Sequence, residues 1–218
     1  MKMIIALGIV LTINIYAQNP NPKSPFISLI GGGTITFHED FTEDYDSKIG
    51  LSYGFNFGFP LSTKLFLYTK ATYFSTSGVP TAYRMNYYDS ASFSWVPMSQ
   101  KKDGSASYSQ WFINVGLLYT YEFSTEYIFS IAGGFTYTRI RETRSSNYGW
   151  VEYPASGNGL LGYFGGAGLE KRFIDTPFSI FSEYQINISI KDIKYIKGDY
   201  GASNLNVGLR YYFDNDQY

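Results

Sequence analysis

The segment from Lys48 to Phe59 alternates strictly between large apolar residues and small or polar ones. The apolar positions are Ile49, Leu51, Tyr53, Phe55, Phe57 and Phe59, and the others are Lys48, Gly50, Ser52, Gly54, Asn56 and Gly58. A β-strand points successive side chains to opposite faces of its sheet. The segment therefore predicts a strand with one apolar face and one small, polar face.

Similar alternation recurs along the chain and predicts eight strands. We place them at 26–38, 48–59, 65–75, 108–123, 127–141, 160–173, 178–188 and 203–213. The connections alternate in length, with short turns at 60–64, 124–126 and 174–177 and long loops at 39–47, 76–107, 142–159 and 189–202. Transmembrane barrels have short turns at one end and long loops at the other. The pattern predicts an all-β fold, an eight-stranded antiparallel up-and-down transmembrane β-barrel over residues 26–213.

Aromatic residues make up 20% of the chain and collect at both ends of the predicted strands. One group is Phe59, Tyr121, Phe173 and Phe213, and the other is Phe37, Tyr73, Trp111, Tyr137 and Tyr163. Amphipathic rings favour the two membrane–water interfaces, so the groups predict two aromatic girdles.

The opposite face of the predicted strands carries charges. We expect a lumen charge network of Lys48, Lys70, Glu122, Glu170, Arg172, Glu183 and Arg210. Such charges would be costly in an apolar core, but they can pair inside a barrel. Because their strands are neighbours, we expect Glu170 and Glu183 to meet Arg172 and Arg210. Side chains can fill an eight-stranded barrel, so we predict a polar plugged lumen.

The two ends of the chain lie outside the predicted barrel. Residues 1–17 read as a signal peptide, with Lys2, a short apolar stretch and a small residue at the cleavage position. Residues 18–25 read as an N-terminal linker and residues 214–218 as a short C-terminal tail. The chain has no cysteine and a net charge of −1 with scattered cations, which argues against a disulfide framework and against a nucleic-acid partner.

Two short stretches carry a family resemblance, Gly166–Glu170 and Asn206–Phe213. Together with the architecture, they resemble the small eight-stranded outer-membrane barrels of the OmpA and OmpX type. The resemblance implies a monomer in the bacterial outer membrane, in contact with its lipid including lipopolysaccharide. It also implies insertion by the barrel-assembly machinery, with Leu209, Tyr211 and Phe213 as the assembly signal.

The long loop 76–107 is rich in aromatic residues and cations. Its candidates for contact with an extracellular ligand are Tyr83, Arg84, Tyr87, Tyr88, Phe93 and Trp95. Aromatic side chains and arginine are enriched at binding surfaces. In the alternative interpretation, the flanking strands extend as a hairpin beyond the membrane and these rings pack on it.

Three functions remain open. The first is a non-enzymatic envelope protein that contacts the outside through its loops, and the second is a narrow solute or ion channel. The third is a lipid A-modifying enzyme that uses His38, the only histidine, with Ser75 or Ser77. No motif supports that site, so we expect no catalytic residue. We expect no cofactor and no metal, because the acidic loop 39–47 lacks the spacing and the glycine of an EF-hand.

Overall fold

Eight long strands close into an antiparallel barrel in the computed structural model, which describes residues 24–37, 41, 45, 47–96, 98–151, 159–189 and 200–213. The barrel strands are β1 (Phe26–Thr36), β2 (Ile49–Pro60), β3 (Leu65–Gly78), β8 (Ser105–Glu122), β9 (Tyr127–Ser145), β11 (Leu160–Arg172), β12 (Phe178–Ser189) and β13 (Ala202–Tyr212). Each pairs with its neighbour along the chain, and β13 pairs with β1 from Phe26–Tyr212 to Thr36–Ala202. The predicted barrel is confirmed.

The alternation of apolar and polar residues determines which side chains of each strand face outward. In β2, Leu51 is 81% exposed and Phe55 is 52% exposed, whereas Ser52 and Asn56 are buried. The exposed apolar face is the lipid face of a transmembrane barrel, whose closed ladder leaves no open strand edge. No helix in the described part of the chain is long and apolar enough to cross a membrane.

Three strands extend three or four residues beyond their predicted ends, all at the long-loop end. β3 continues to Gly78, β8 begins at Ser105 and β9 continues to Ser145. The predicted loop 76–107 is therefore wrong as a loop, since its ends belong to the barrel ladder through the pair Gly78–Ala106. The apolar alternation ends there and polar residues take its place, because the extended strands rise above the apolar band of the wall.

The rest of this segment forms a hairpin above β3 and β8. Its strands are β4 (Thr81–Arg84), β5 (Tyr87–Asp89), β6 (Ser94–Val96) and β7 (Ser99–Lys102). The short β10 (Trp150–Val151) pairs with β4, so β10, β4 and β7 form a three-stranded sheet. Gly104 has φ +92°, and a Cβ there would lie 1.8 Å from the Ser145 carbonyl oxygen. Only glycine fits where the hairpin joins the barrel.

An inward glycine also makes room for a bulky side chain in the lumen. A Cβ on Gly134 would lie 2.4 Å from the Val115 carbonyl oxygen and 2.9 Å from the Phe164 ring. Phe164 is buried in the lumen. The glycine-rich sequence of β9 thus lets the neighbouring strand turn an aromatic ring inward.

Candidate functional site: the filled lumen and the long-loop hairpin

A buried ion pair joins Glu170 and Arg210 near the short-turn end of the barrel. The Tyr212 hydroxyl donates a hydrogen bond to Glu170 (2.6 Å), and Arg210 Nε donates to the Ser28 hydroxyl (3.1 Å). The Arg210 guanidinium also lies 4.0 Å from the centroid of the Phe26 ring. This meeting of Glu170 with Arg210 was predicted from the sequence.

Lys70 and Glu183 form a second buried ion pair, from opposite sides of the lumen. Lys70 Nζ also donates to Gln185 Oε1 (2.9 Å), and the Tyr68 hydroxyl donates to Glu183 (3.0 Å). We expected Glu183 to meet Arg172 or Arg210, and that expectation is wrong. The lumen is narrow enough for Glu183 on β12 to reach Lys70 on β3, which is not a neighbouring strand.

The third pair lies at the rim of the short-turn end. Arg172 Nη2 donates to Glu122 Oε1 (2.7 Å), with 38% of the Glu122 side chain exposed. Arg172 therefore pairs with Glu122, and our expectation that it would meet Glu170 or Glu183 is wrong. Lys48, the seventh expected member, forms no ion pair within the described residues.

Apolar side chains fill the lumen around these pairs at the short-turn end. The cluster consists of Phe26, Phe66, Tyr68, Leu118, Ala132, Phe164 and Tyr212, all buried. The Phe26 ring contacts Phe66 and Tyr212, with centroids 5.5 and 5.7 Å apart. Aromatic rings as well as charged pairs thus occupy the lumen.

A second apolar cluster fills the long-loop end, and loop residues contribute to it. Phe41 and Tyr45 stack with centroids 4.4 Å apart, and both rings contact Tyr108 on β8. Tyr200, from the loop between β12 and β13, lies in the same cluster and accepts a hydrogen bond from Gln110 on its carbonyl oxygen (2.7 Å). Two loops therefore place buried side chains over the mouth of the barrel.

Polar contacts also hold the Tyr45 side chain over the mouth of the barrel. The Tyr45 hydroxyl donates to Glu142, and Arg144 forms an ion pair with the same carboxylate (2.6 Å). Burial, reinforced by the contact with Glu142, raises the pKa of Tyr45 above its usual value. The sequence analysis did not predict this contact between Tyr45 and Glu142. The pattern that could have indicated a buried loop is the apolar pair Phe41 and Tyr45, four residues apart in an otherwise acidic segment.

The base of the hairpin is built around Asp103 and Tyr148. Asp103 Oδ2 accepts hydrogen bonds from the Ser146 hydroxyl (2.7 Å) and from the backbone N–H of Asn147 (2.8 Å) and Tyr148 (2.7 Å). The bonds from Ser146 and Tyr148 are the main reason that the pKa of Asp103 is lowered. The Arg84 guanidinium lies 4.6 Å from the centroid of the Tyr148 ring.

The outer part of the hairpin, between Met85 and Met98 and called the tip here, presents apolar side chains to solvent. Phe93 is 81% exposed, Met85 69%, Met98 57% and Tyr88 50%. Phe93 also has a φ of +49°, which is uncommon for a residue other than glycine and is strained for a bulky one.

Segment 76–107 thus contains both rings that pack on the hairpin and rings that are exposed for contact, so each of the two interpretations holds for part of it. Tyr83 stacks on Trp150 with centroids 4.9 Å apart and packs on the hairpin, whereas Tyr88 and Phe93 are exposed. The side chains of Tyr87 and Trp95 lie outside the described part of the structure.

The other candidate residues are more dispersed. His38 and the acidic positions of its loop lie outside the described residues, as do 1–23 and 214–218. Ser75 and Ser77 line a depression on the outer wall of the barrel. In the proposed assembly signal, Leu209 is exposed on the wall and the Tyr211 ring contacts Phe178 and Phe213.

The closed ladder, the apolar outer wall and the filled lumen define a small transmembrane β-barrel of eight strands. Solved structures show the same fold. Neisserial surface protein A (NspA) superposes with a TM-score of 0.58 at 10% identity, over 87% of this chain and 97% of that one. OprG from Pseudomonas aeruginosa superposes with a TM-score of 0.50 at 13% identity, over 89% and 98%. No protein-family model and no curated protein matches the sequence.

Proposed function

We propose that this chain is a non-enzymatic outer-membrane protein of a bacterial envelope, which contacts its surroundings through the hairpin tip. The long-loop end faces the outside and the short-turn end faces the periplasm, as in other barrels of this shape. NspA and OprG, which share the fold, are surface and outer-membrane proteins by name. The proposal includes a monomer inserted by the barrel-assembly machinery.

The observation that carries the proposal is the exposed tip on a braced stem. A three-stranded sheet and the Asp103 hydrogen bonds fix the base, while Phe93, Met85 and Met98 remain in solvent. Exposed apolar patches on a rigid support mark interaction sites. The filled lumen supports a barrel that does not conduct. Ser75 and Ser77 lie on the outer wall, and His38, the base that the alternative enzyme would need, lies outside the described residues.

Orientation is tested with an epitope tag inserted between Ala91 and Ser92. An antibody should label intact cells that carry this tag, and it should not label cells with the same tag between Ser62 and Thr63. Labelling of only the second would overturn the proposed orientation. Discrete, reproducible conductance of the purified protein in a planar bilayer would overturn the closed lumen.

The tip is tested by adhesion of intact cells to a hydrophobic surface and to a monolayer of epithelial cells. We expect Phe93→Ser with Met98→Ser to reduce adhesion several-fold, because the exposed apolar surface is removed. Leu61→Ser is the matched control, since Leu61 is 55% exposed at the opposite end of the barrel. Unchanged adhesion of the tip variant on both surfaces would refute the contact role.

A further inference from the structure

Two arginines point outward from β9 at the long-loop end of the barrel wall. Arg139 and Arg141 are exposed, whereas their neighbours Thr138, Ile140 and Glu142 are buried toward the lumen. Residues i and i+2 of a strand share a face, which places the two side chains about 7 Å apart along it. Neither arginine forms an ion pair with a residue in the described ranges.

Arg139 lies at the level of the aromatic girdle, and Arg141 lies one step above it. Arg139 is two residues beyond Tyr137, and across the ladder it pairs with Trp111. Trp111 in turn pairs with Tyr73, and their ring centroids are 4.9 Å apart. Because tyrosine and tryptophan sit at the headgroup level, Arg139 and Arg141 lie among the lipid headgroups.

A shelf of small hydroxyl side chains lies beside the arginines. Arg141 pairs with Ser109, which pairs with Ser75, and one step higher Thr143 pairs with Ser107, which pairs with Ser77. These residues line a depression of about 570 Å³. The shelf therefore offers room and hydrogen-bond partners for a polar group held by the arginines.

We propose that this surface, Arg139 and Arg141 with the serine shelf, binds the phosphorylated sugar headgroup of a glycolipid in the outer leaflet. The arginines hold the phosphates, since the guanidinium fork matches phosphate oxygens in a bidentate manner. The sugar hydroxyls lie on the serine shelf and the acyl chains run along Tyr73, Trp111 and Tyr137. The acid nearest in sequence, Glu142, is already engaged by Arg144 and Tyr45 on the inner face.

This inference rests on the proposed orientation and adds a lipid site to it. The short-turn end carries a different arrangement, in which the Lys171 amine lies 5.8 Å from the Tyr127 ring centroid. Lys171 is an exposed cation beside an aromatic ring but without a row of serines next to it, and it serves as the matched control.

The test measures binding of bisphosphorylated lipid A to the purified protein in nanodiscs, with a phosphate-free lipid A as the comparison. One cation near a charged membrane surface is worth about fivefold in binding. We therefore expect Arg139→Gln with Arg141→Gln to weaken binding about thirtyfold. Lys171→Gln should leave binding unchanged, and the wild type should bind the phosphate-free lipid as weakly as the double variant does.

Three results would overturn the inference: equal affinity of wild type and double variant, an equal loss in Lys171→Gln, or no preference for the phosphorylated lipid. Binding of a heparin oligosaccharide, a soluble polyanion, is measured in parallel. If the oligosaccharide binds the wild type and fails to bind the double variant while lipid binding is unchanged, the arginines serve a soluble polyanion instead. If the lipid-binding test fails while the tag inserted after Ala91 is labelled on intact cells, the lipid site alone is refuted. If that tag is not labelled on intact cells, the proposed orientation is refuted.

Discussion

Removal of the charge on Glu183 leaves Lys70 unpaired in the middle of the lumen. The Lys70 side chain is fully buried and that of Glu183 is 8% exposed. Loss of one partner from a buried ion pair costs about 3–5 kcal/mol. We expect Glu183→Gln to lie near the lower bound, about 3 kcal/mol, because the amide oxygen and Gln185 can still accept hydrogen bonds from Lys70.

Glu122→Gln is the matched control, with the same chemical change in a pair whose carboxylate is 38% exposed. Solvent reaches the Glu122 carboxylate, and the amide oxygen of the variant can still accept a hydrogen bond from the buried Arg172, so we expect a cost of about 1 kcal/mol. The double variant Lys70→Met, Glu183→Leu removes both charges but leaves the buried Tyr68 hydroxyl without its acceptor, so it should recover about 1 kcal/mol or more of the loss and not all of it. The free energies of unfolding are measured by urea titration in detergent micelles, followed by tryptophan fluorescence.

Two outcomes would refute this reasoning. One is a cost for Glu183→Gln no larger than that for Glu122→Gln, which would show that water or neighbouring groups screen Lys70 fully. The other is a double variant as unstable as Glu183→Gln, which would show that packing, and not the unpaired charge, causes the loss.

Three further changes probe the interior and the hairpin. Gly134→Ala should cost about 2 kcal/mol or more, since its Cβ meets backbone and the Phe164 ring, whereas Gly165→Ala, with open space around it, should fold like the wild type; urea titration compares the two. Phe41→Ala should cost about 3 kcal/mol by leaving a void over the barrel mouth, and the same titration measures it. Asp103 has a lowered pKa in the folded protein, so its stabilisation of the hairpin base is present above the ordinary aspartate pKa of about 3.9 and is lost as the pH falls through the lower folded value. Amide hydrogen exchange of Asn147 and Tyr148 should accelerate, beyond the intrinsic effect of pH, over that interval, and in Asp103→Asn this added change should be absent.

The wall of the barrel could be predicted from the sequence because each strand carries its own orientation signal. Leu51, Phe55 and the residues that alternate with them specify inside and outside without reference to any other strand. The partner of Lys70 could not be predicted in this way. It depends on which inward residues reach the same height on opposite sides of the lumen, and that height follows from the stagger of the whole barrel.

The packing of loop side chains over the mouth of the barrel could not be predicted from the sequence for a different reason. Phe41 and Tyr45 lie in a segment whose acidic residues indicate a solvated loop, and the pocket that receives them is formed by Tyr108, Phe74 and Ile140 from distant strands. A loop with two apolar residues four apart is ambiguous until that pocket exists. The same holds for Asp103, whose three donors come from residues 146–148 on another loop.

The conformation of Phe93 allows structure and function to be separated at the hairpin tip. A positive φ costs a bulky residue about 1 kcal/mol or more, and glycine or asparagine would serve the turn without that strain. Phe93 is 81% exposed, so packing of its ring offsets little of the backbone strain. Phe93→Gly should therefore leave amide protection of β5 and β6 unchanged or slightly higher, while cell adhesion falls as in the serine variant. If protection of these strands drops instead, the ring serves the stability of the hairpin, and the contact surface must lie elsewhere on the loops.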